Sequence, residues 1–148
     1  MKIAIACDHG GFEYKELLIK YLQNNNIEYK DFGCYTNESV DYPDMVYPCA
    51  KSVSDNQFDK GIVICGTGIG VSIVANKLSG IRCALVNDDK VAITTREHND
   101  SNMLAMGARV ISVEMMMKIV SNWLNTPFSQ EDRHVLRIKK ISAIENIK

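Results

Sequence analysis

A chain of 148 residues, 46% hydrophobic and 24% charged, is long enough to fold as one domain that buries roughly 68–70% of its unfolded surface. A net charge of −1 and a pI near 6.3 exclude a long-range field for nucleic acid. Five cysteines, odd in number and without a C-x-x-C pair, exclude a disulfide framework and a zinc site and fit a reducing cytoplasm; no run nears the ~20 apolar residues of a membrane span, and the apolar run in MKIAIACDHG is too short for a signal peptide.

The first strand is expected at Lys2–Ala6. It leads through Cys7-Asp8-His9-Gly10-Gly11 into a helix in which Phe12, Leu17, Leu18, Tyr21 and Leu22 recur at three-to-four spacing, stopped by Asn24, Asn25 and Asn26. A weaker strand at Glu28–Phe32 and a polar loop precede Asp41-Tyr42-Pro43-Asp44, where proline suits a helix start. That helix runs to about Ser54. The β-branched run Ile62, Val63, Ile64 reads as a strand buried on both faces, and it ends in Cys65-Gly66-Thr67-Gly68-Ile69-Gly70. A helix starts near Gly70. A fourth strand spans Arg82–Val86, a helix covers about Lys90–His98, a last strand lies near Val110–Ser112, and a helix from Val113 to Leu124 ends at Asn125-Thr126-Pro127. Met103–Met106 and Met115–Met117 read as irregular core filler. Alternating strands and helices predict a three-layer α/β/α sandwich, Rossmann-like or flavodoxin-like, around a five-stranded parallel sheet.

The Cys65 turn holds the most chemistry. Its glycines bring bare amides toward a ligand, and the positive end of the following helix points to the same place, so the thiolate form of Cys65 is favoured. G-x-G-x-G after the third strand is not the dinucleotide fingerprint, and Val71 stands where a P-loop needs Lys and a C-x5-R phosphatase loop needs Arg. What remains is a thiolate base beside amides able to hold an oxyanion.

Ligands of such sheets bind beyond the carboxyl ends of the strands. Asp8 and His9, Cys65 to Gly70, and Asn87-Asp88-Asp89 all fall there, whereas His98 and Asn99 end a helix and belong to the opposite rim. A second subunit would reconcile them. Taken singly, Asp8 reads equally as a turn cap, Tyr42 as a packed aromatic and His98-Asn99 as a helix end. Arg133 and Arg137, four apart and about 6 Å along a helix axis, can converge on one phosphate or form a solvated face. Ile138, Ile141, Ile144 and Ile147 are spaced by three, a stripe that one straight helix cannot bury. The whole chain, 1–148, therefore reads as a single domain whose last segment, about 128–148, packs on a partner.

Several segments together resemble the type B ribose-5-phosphate isomerases and the wider family of galactose-6-phosphate and allose-6-phosphate isomerases. They are Cys7–Phe12, Asp41–Asp44, Ile64–Gly70, Ala75-Asn76-Lys77, Gly80-Ile81-Arg82, Arg96–Asp100, Asn102–Ala105 and Gly107–Val110. Cys65, with Ile at position 69, resembles the branch that uses cysteine rather than serine. The resemblance implies interconversion of D-ribose 5-phosphate and D-ribulose 5-phosphate through an enediolate. In it His98 opens the sugar ring, Cys65 is the base and Thr67 relays a proton between O1 and O2. Amides of Gly66, Gly68, Ile69 and Gly70 would stabilise the enediolate. Asp8, His9, Asn99 and Tyr42 would bind the sugar, and Arg109, Arg133 and Arg137 the phosphate. His98, Asn99 and the arginines are expected from the partner subunit of a homodimer, with a tetramer left open. No metal or cofactor is implied, nor nucleic acid or membrane. The alternatives are a hexose-phosphate isomerase of the same family, set apart by loop residues such as Asn37 to Val40, and a non-catalytic or phosphocysteine carrier module using Cys7.

Overall fold

Apolar residues alternate along the central strands, and the alternation sorts them onto two faces of one sheet. In the computed structural model, which describes residues 1–145, the strands are β1 (Lys2–Cys7), β2 (Glu28–Asp31), β3 (Lys60–Cys65), β4 (Cys83–Leu85) and β5 (Met103–Gly107). All pair in parallel in the order β2-β1-β3-β5-β4. The helices are α1 (Phe12–Asn24), α2 (Tyr42–Ser54), α3 (Ile69–Ala75), α4 (Asp89–Asn99), α5 (Val113–Asn125) and α6 (Asp132–Ile144). None of them is long and apolar enough to cross a membrane.

One face carries the large residues Ile3, Ile5, Ile62, Ile64, Leu104 and Met106, packed with Leu18 and Leu22 of α1 and Met116, Ile119, Val120 and Trp123 of α5. The other carries the small residues Ala4, Ala6 and Ala105 beside Val63 and Cys65, so α2 and α3 close in through Val46, Cys49, Ala50, Val71 and Ala75. Trp123 is wholly buried, and its indole N–H donates to Ser101 Oγ at 2.8 Å, giving the amphipathic ring both an apolar bed and a polar partner.

The last strand corrects the expectation of Val110–Ser112. It is Met103–Gly107, buried at every residue, between β3 and β4. A central parallel strand needs apolar groups on both faces, and methionine and alanine meet that need without β-branching. The thioethers read as filler are the strand itself. Val110 is exposed, and Ser112 is the N-cap of α5, accepting the N–H of Met115 at 3.2 Å.

Strand β4 forms one edge of the sheet. There the side chain of Asn76 takes the place of a neighbouring strand: its Oδ1 accepts the N–H of Cys83 and its Nδ2 donates to the Cys83 carbonyl, both at 2.9 Å. At the other end of the chain, α6 buries only His134 and leaves Leu136, Ile141 and Ile144 exposed. Ile147 of the three-spaced stripe and Lys148 lie outside the described residues.

Candidate active site

Strand β3 ends by delivering Cys65 into a turn built for close approach. Gly68 adopts φ +79°, ψ −13° and caps α3, a conformation costly for any side chain with a Cβ. Its N–H points back to the thiol, donating to Cys65 Sγ at 3.0 Å. Cys65 is 5% exposed, so this amide, rather than bulk water, solvates the sulfur. Thr67 is exposed, and its Oγ1 accepts the N–H of Ile69 at 3.3 Å, which leaves the hydroxyl proton free to point outward. Tyr42, the first residue of α2, lays its ring on the turn so closely that a Cβ on Gly70 would sit 2.7 Å from Cζ.

Neighbouring loops complete this rim. Asp8 follows β1, and its carboxylate accepts the N–H of Gly11 at 3.1 Å, which fixes the single 3₁₀ turn His9–Gly11. The turn-cap reading of Asp8 is therefore correct structurally, and the remaining carboxylate oxygen stays at the rim. His9 Nδ1 accepts the N–H of Val40 at 3.4 Å, which leaves Nε2 as a donor when the ring is neutral. Arg109 follows β5 and drapes over Gly66, with Cδ and Nη1 3.3 Å from where a Gly66 Cβ would lie; the Arg109 N–H donates to the Gly66 carbonyl at 2.9 Å. Arg109 thus lies on the Cys65 rim of its own chain, whereas the resemblance grouped it with residues from a partner.

Four expected residues are not brought to Cys65. His98 and Asn99 end α4, and Asp100–Asn102 leads straight into the start of β5, which is registered on Gly61 at the start of β3. The four steps from Gly61 to Cys65 span about 13 Å at 3.3 Å per residue. His98, exposed, stacks on His134 of α6 with ring centroids 4.3 Å apart, so α6 brings Arg133 and Arg137 to this second rim. Arg133 Nε donates to Glu131 Oε2 at 2.7 Å. A cleft of about 320 Å³ opens beside Asn99, lined by Ile81, Arg82, Thr95, Ser101 and Ile141.

The other thiol weighed as a nucleophile is Cys7. It is wholly buried, 3.7 Å from the sulfur of Cys34, and burial followed by the neighbouring thiol holds its proton far more tightly than usual. A group so enclosed cannot serve as a phosphate carrier, which removes the structural basis of that alternative. Among the described residues no three His, Cys, Asp or Glu side chains group to hold a metal ion. Sequence reasoning passed over the Val40 amide, which steers His9 from a loop distant in the chain, and the contact of His134 with His98. The basic run Arg133-His134 was the one local signal for the latter.

A family model described as Ribose/Galactose Isomerase matches residues 3–141. The ribose-5-P isomerase B of Listeria innocua is 46% identical over 129 residues, 87% of each chain. The solved ribose-5-phosphate isomerase B of Clostridium thermocellum superposes with a TM-score of 0.96 at 46% identity, covering 99% of this chain and 98% of that one. The Mycoplasma genitalium ribose-5-phosphate isomerase B, solved with bound ribulose-5-phosphate, gives a TM-score of 0.94 at 36% identity over 99% of this chain and 97% of its own.

Proposed function

Because this chain belongs to the ribose/galactose isomerase family, we propose that it interconverts D-ribose 5-phosphate and D-ribulose 5-phosphate as an aldose–ketose isomerase, in sites shared between two copies. The observation that carries the reading is the Cys65 thiol set in the glycine turn with the Gly68 amide 3.0 Å from its sulfur. In the proposed cycle His98 protonates the ring oxygen as the C1–O bond breaks, while the O1 hydroxyl gives its proton to water as the C1 carbonyl forms, and water returns a proton to His98. The thiolate of Cys65 then takes the proton from C2 and returns it to C1, while the Thr67 hydroxyl carries a proton between O2 and O1. The amides of Gly66 and Gly70 face the enediolate oxygens, where a well-placed donor contributes about 3–4 kcal/mol, while the Gly68 amide supports the thiolate and the Ile69 amide orients the Thr67 hydroxyl. Asp8, His9, Tyr42 and the partner's copy of residue 99 hold the sugar hydroxyls. The guanidinium groups of residues 109, 133 and 137 hold the phosphate by paired donors.

Two rims about 13 Å apart along the strands cannot serve one five-carbon substrate, so the proposed unit is a homodimer in which the second rim comes from the partner; a tetramer is a doubling of it. The segment 128–148 is proposed to pack on that partner, which accounts for the exposed Leu136, Ile141 and Ile144 of α6. A cytoplasmic setting suits five unpaired thiols.

The test is steady-state turnover by wild type and Cys65→Ala of ribose 5-phosphate, allose 6-phosphate and galactose 6-phosphate, without added metal. Highest kcat/KM on ribose 5-phosphate, lost by at least a thousandfold in Cys65→Ala with thermal stability retained, is expected. Preference for a hexose phosphate would move the substrate to the galactose or allose branch of the family. Normal turnover by Cys65→Ala would overturn the assignment of the base.

A further inference from the structure

His98 is exposed, yet one face of its ring is covered by a side chain that the cycle above does not use. His134 is 2% exposed and lies against His98 with ring centroids 4.3 Å apart and planes tilted by 32°. Its own orientation is fixed from behind: Nδ1 is 2.7 Å from Ser129 Oγ. Ser129 Oγ also accepts the N–H of Glu131 at 3.3 Å, which ties the serine hydroxyl, and through it Nδ1 of His134, to the start of α6. The N–H of Ser129 donates to the carbonyl of Glu97 at 3.2 Å, the residue before His98. Glu97, Ser129, His134 and His98 thus form a closed circuit of contacts joining α4 to α6.

We propose that His134 is a positioning residue for ring opening: it holds the imidazole of His98 flat and aimed out of the rim, toward the ring oxygen of the sugar. The inference rests on the proposed role of His98 as the ring-opening acid. A histidine suits the position better than an aliphatic residue because it offers both a flat face to His98 and a nitrogen to Ser129. It also binds a proton less readily than a free imidazole. Burial, then the charges of His98 and Arg133, outweigh Glu131 and lower its affinity for a proton, with Arg137 adding to the effect. Around the pair stand Glu97 on α4 and Glu131, Arg133 and Arg137 on or beside α6.

The experiment compares wild type, His134→Ala, His134→Gln, Ser129→Ala, His98→Asn and Cys65→Ala in two assays. One is turnover of ribose 5-phosphate, which enters as a closed ring, across pH 5.5–9. The other is exchange of the C1 proton of ribulose 5-phosphate with D2O followed by NMR, which starts from an open chain and needs the base but no ring opening. His134→Ala is expected to lose at least tenfold in kcat on ribose 5-phosphate with KM changed less than threefold and an altered acid limb, while exchange stays within twofold of wild type. Ser129→Ala should show a smaller loss of the same selectivity, and His134→Gln should recover part of it by keeping a partner for Ser129. Equal losses in both assays, or none in either, would overturn the inference. Full ring-form turnover by His98→Asn would remove the reading beneath it and the inference together. Impairment of His98→Asn alongside normal His134→Ala and Ser129→Ala would overturn the inference only. Cys65→Ala, silent in both assays, marks the base.

Discussion

Replacing Gly68 by alanine separates backbone strain from disruption of the site. At φ +79° an alanine pays about 1–2 kcal/mol for the left-handed conformation. Its Cβ would also lie 2.5 Å from Leu85 Cδ1 and 2.8 Å from the carbonyl carbon of Met106. The leucine tip can rotate away, but the Met106 backbone is paired within β5 and cannot, so the turn itself must move, adding overpacking of about 1–3 kcal/mol. Gly80 provides the reference: φ is +78° and nothing lies within 4 Å of where its Cβ would stand, so Gly80→Ala carries the conformational cost of about 1–2 kcal/mol alone. Gly68→Ala should therefore be less stable than Gly80→Ala by about 1–3 kcal/mol in urea unfolding at 25 °C. It should also lose roughly 10–10² in kcat, the value of a hydrogen bond of about 1.5–3 kcal/mol to a charged group, because the moving turn draws the Gly68 amide off Cys65 Sγ. Equal stability of the two variants, with Gly68→Ala turning over within threefold of wild type, would refute the account of the turn.

Two further perturbations probe the scaffold. Lys15, wholly buried, reaches Asp31 Oδ2 at 2.5 Å and the Cys34 carbonyl at 2.6 Å; Lys15→Met keeps the volume, lets the part-exposed Asp31 rehydrate and strands the Cys34 carbonyl. A loss of about 3 kcal/mol is expected, or roughly 6–12 °C in Tm by calorimetry, and a loss below about 1 kcal/mol would show that the ammonium is not needed there. Lys60 has its ammonium pushed down to about 8, first by burial and then by Arg96, against about 10.4 in an unfolded chain. Between those values the unfolded state binds more protons, so the Lys60 contribution to stability rises with pH across that window. Burial raises the thiols of Cys7, Cys49 and Cys83, which lowers stability above about pH 8.5, but equally in wild type and Lys60→Met. The unfolding free energy of wild type relative to Lys60→Met should climb from pH 8 to 10.4; a flat difference would contradict the burial of this charge.

What could be read in advance depended on how local the cause was. Ile62-Val63-Ile64 followed by spaced glycines announces a buried strand and a ligand-facing turn because strand propensity and glycine geometry act over a few residues. The direction of α4 follows from strand alternation, so the separation of His98 from Cys65 was visible as a conflict in the order of elements alone. β5 was misplaced because Met103 to Met106 lacks β-branched residues, and only its central position between β3 and β4 makes it a strand. The Val40 amide on His9, 31 residues apart in sequence, and the descent of Arg109 onto Gly66 arise from loop packing, which no short pattern encodes. The spacing of Arg133 and Arg137 reads only as a pair able to converge on an anion; their grouping with His98 came from the resemblance alone, and the His98–His134 stacking that joins them is encoded by no short pattern.

The Asn76 side chain on Cys83 acts as a stopper. The first backbone pair that an arriving strand would need at β4 is already occupied by an amide of the same chain, so the sheet ends inside the protomer instead of inviting extension. A protein whose proposed site requires another copy must meet its own kind. Occupying the first backbone pair of the β4 edge leaves encounters on that side to side chains, whose shapes and charges tell the right face from a wrong one, rather than to backbone pairing, which would accept almost any strand.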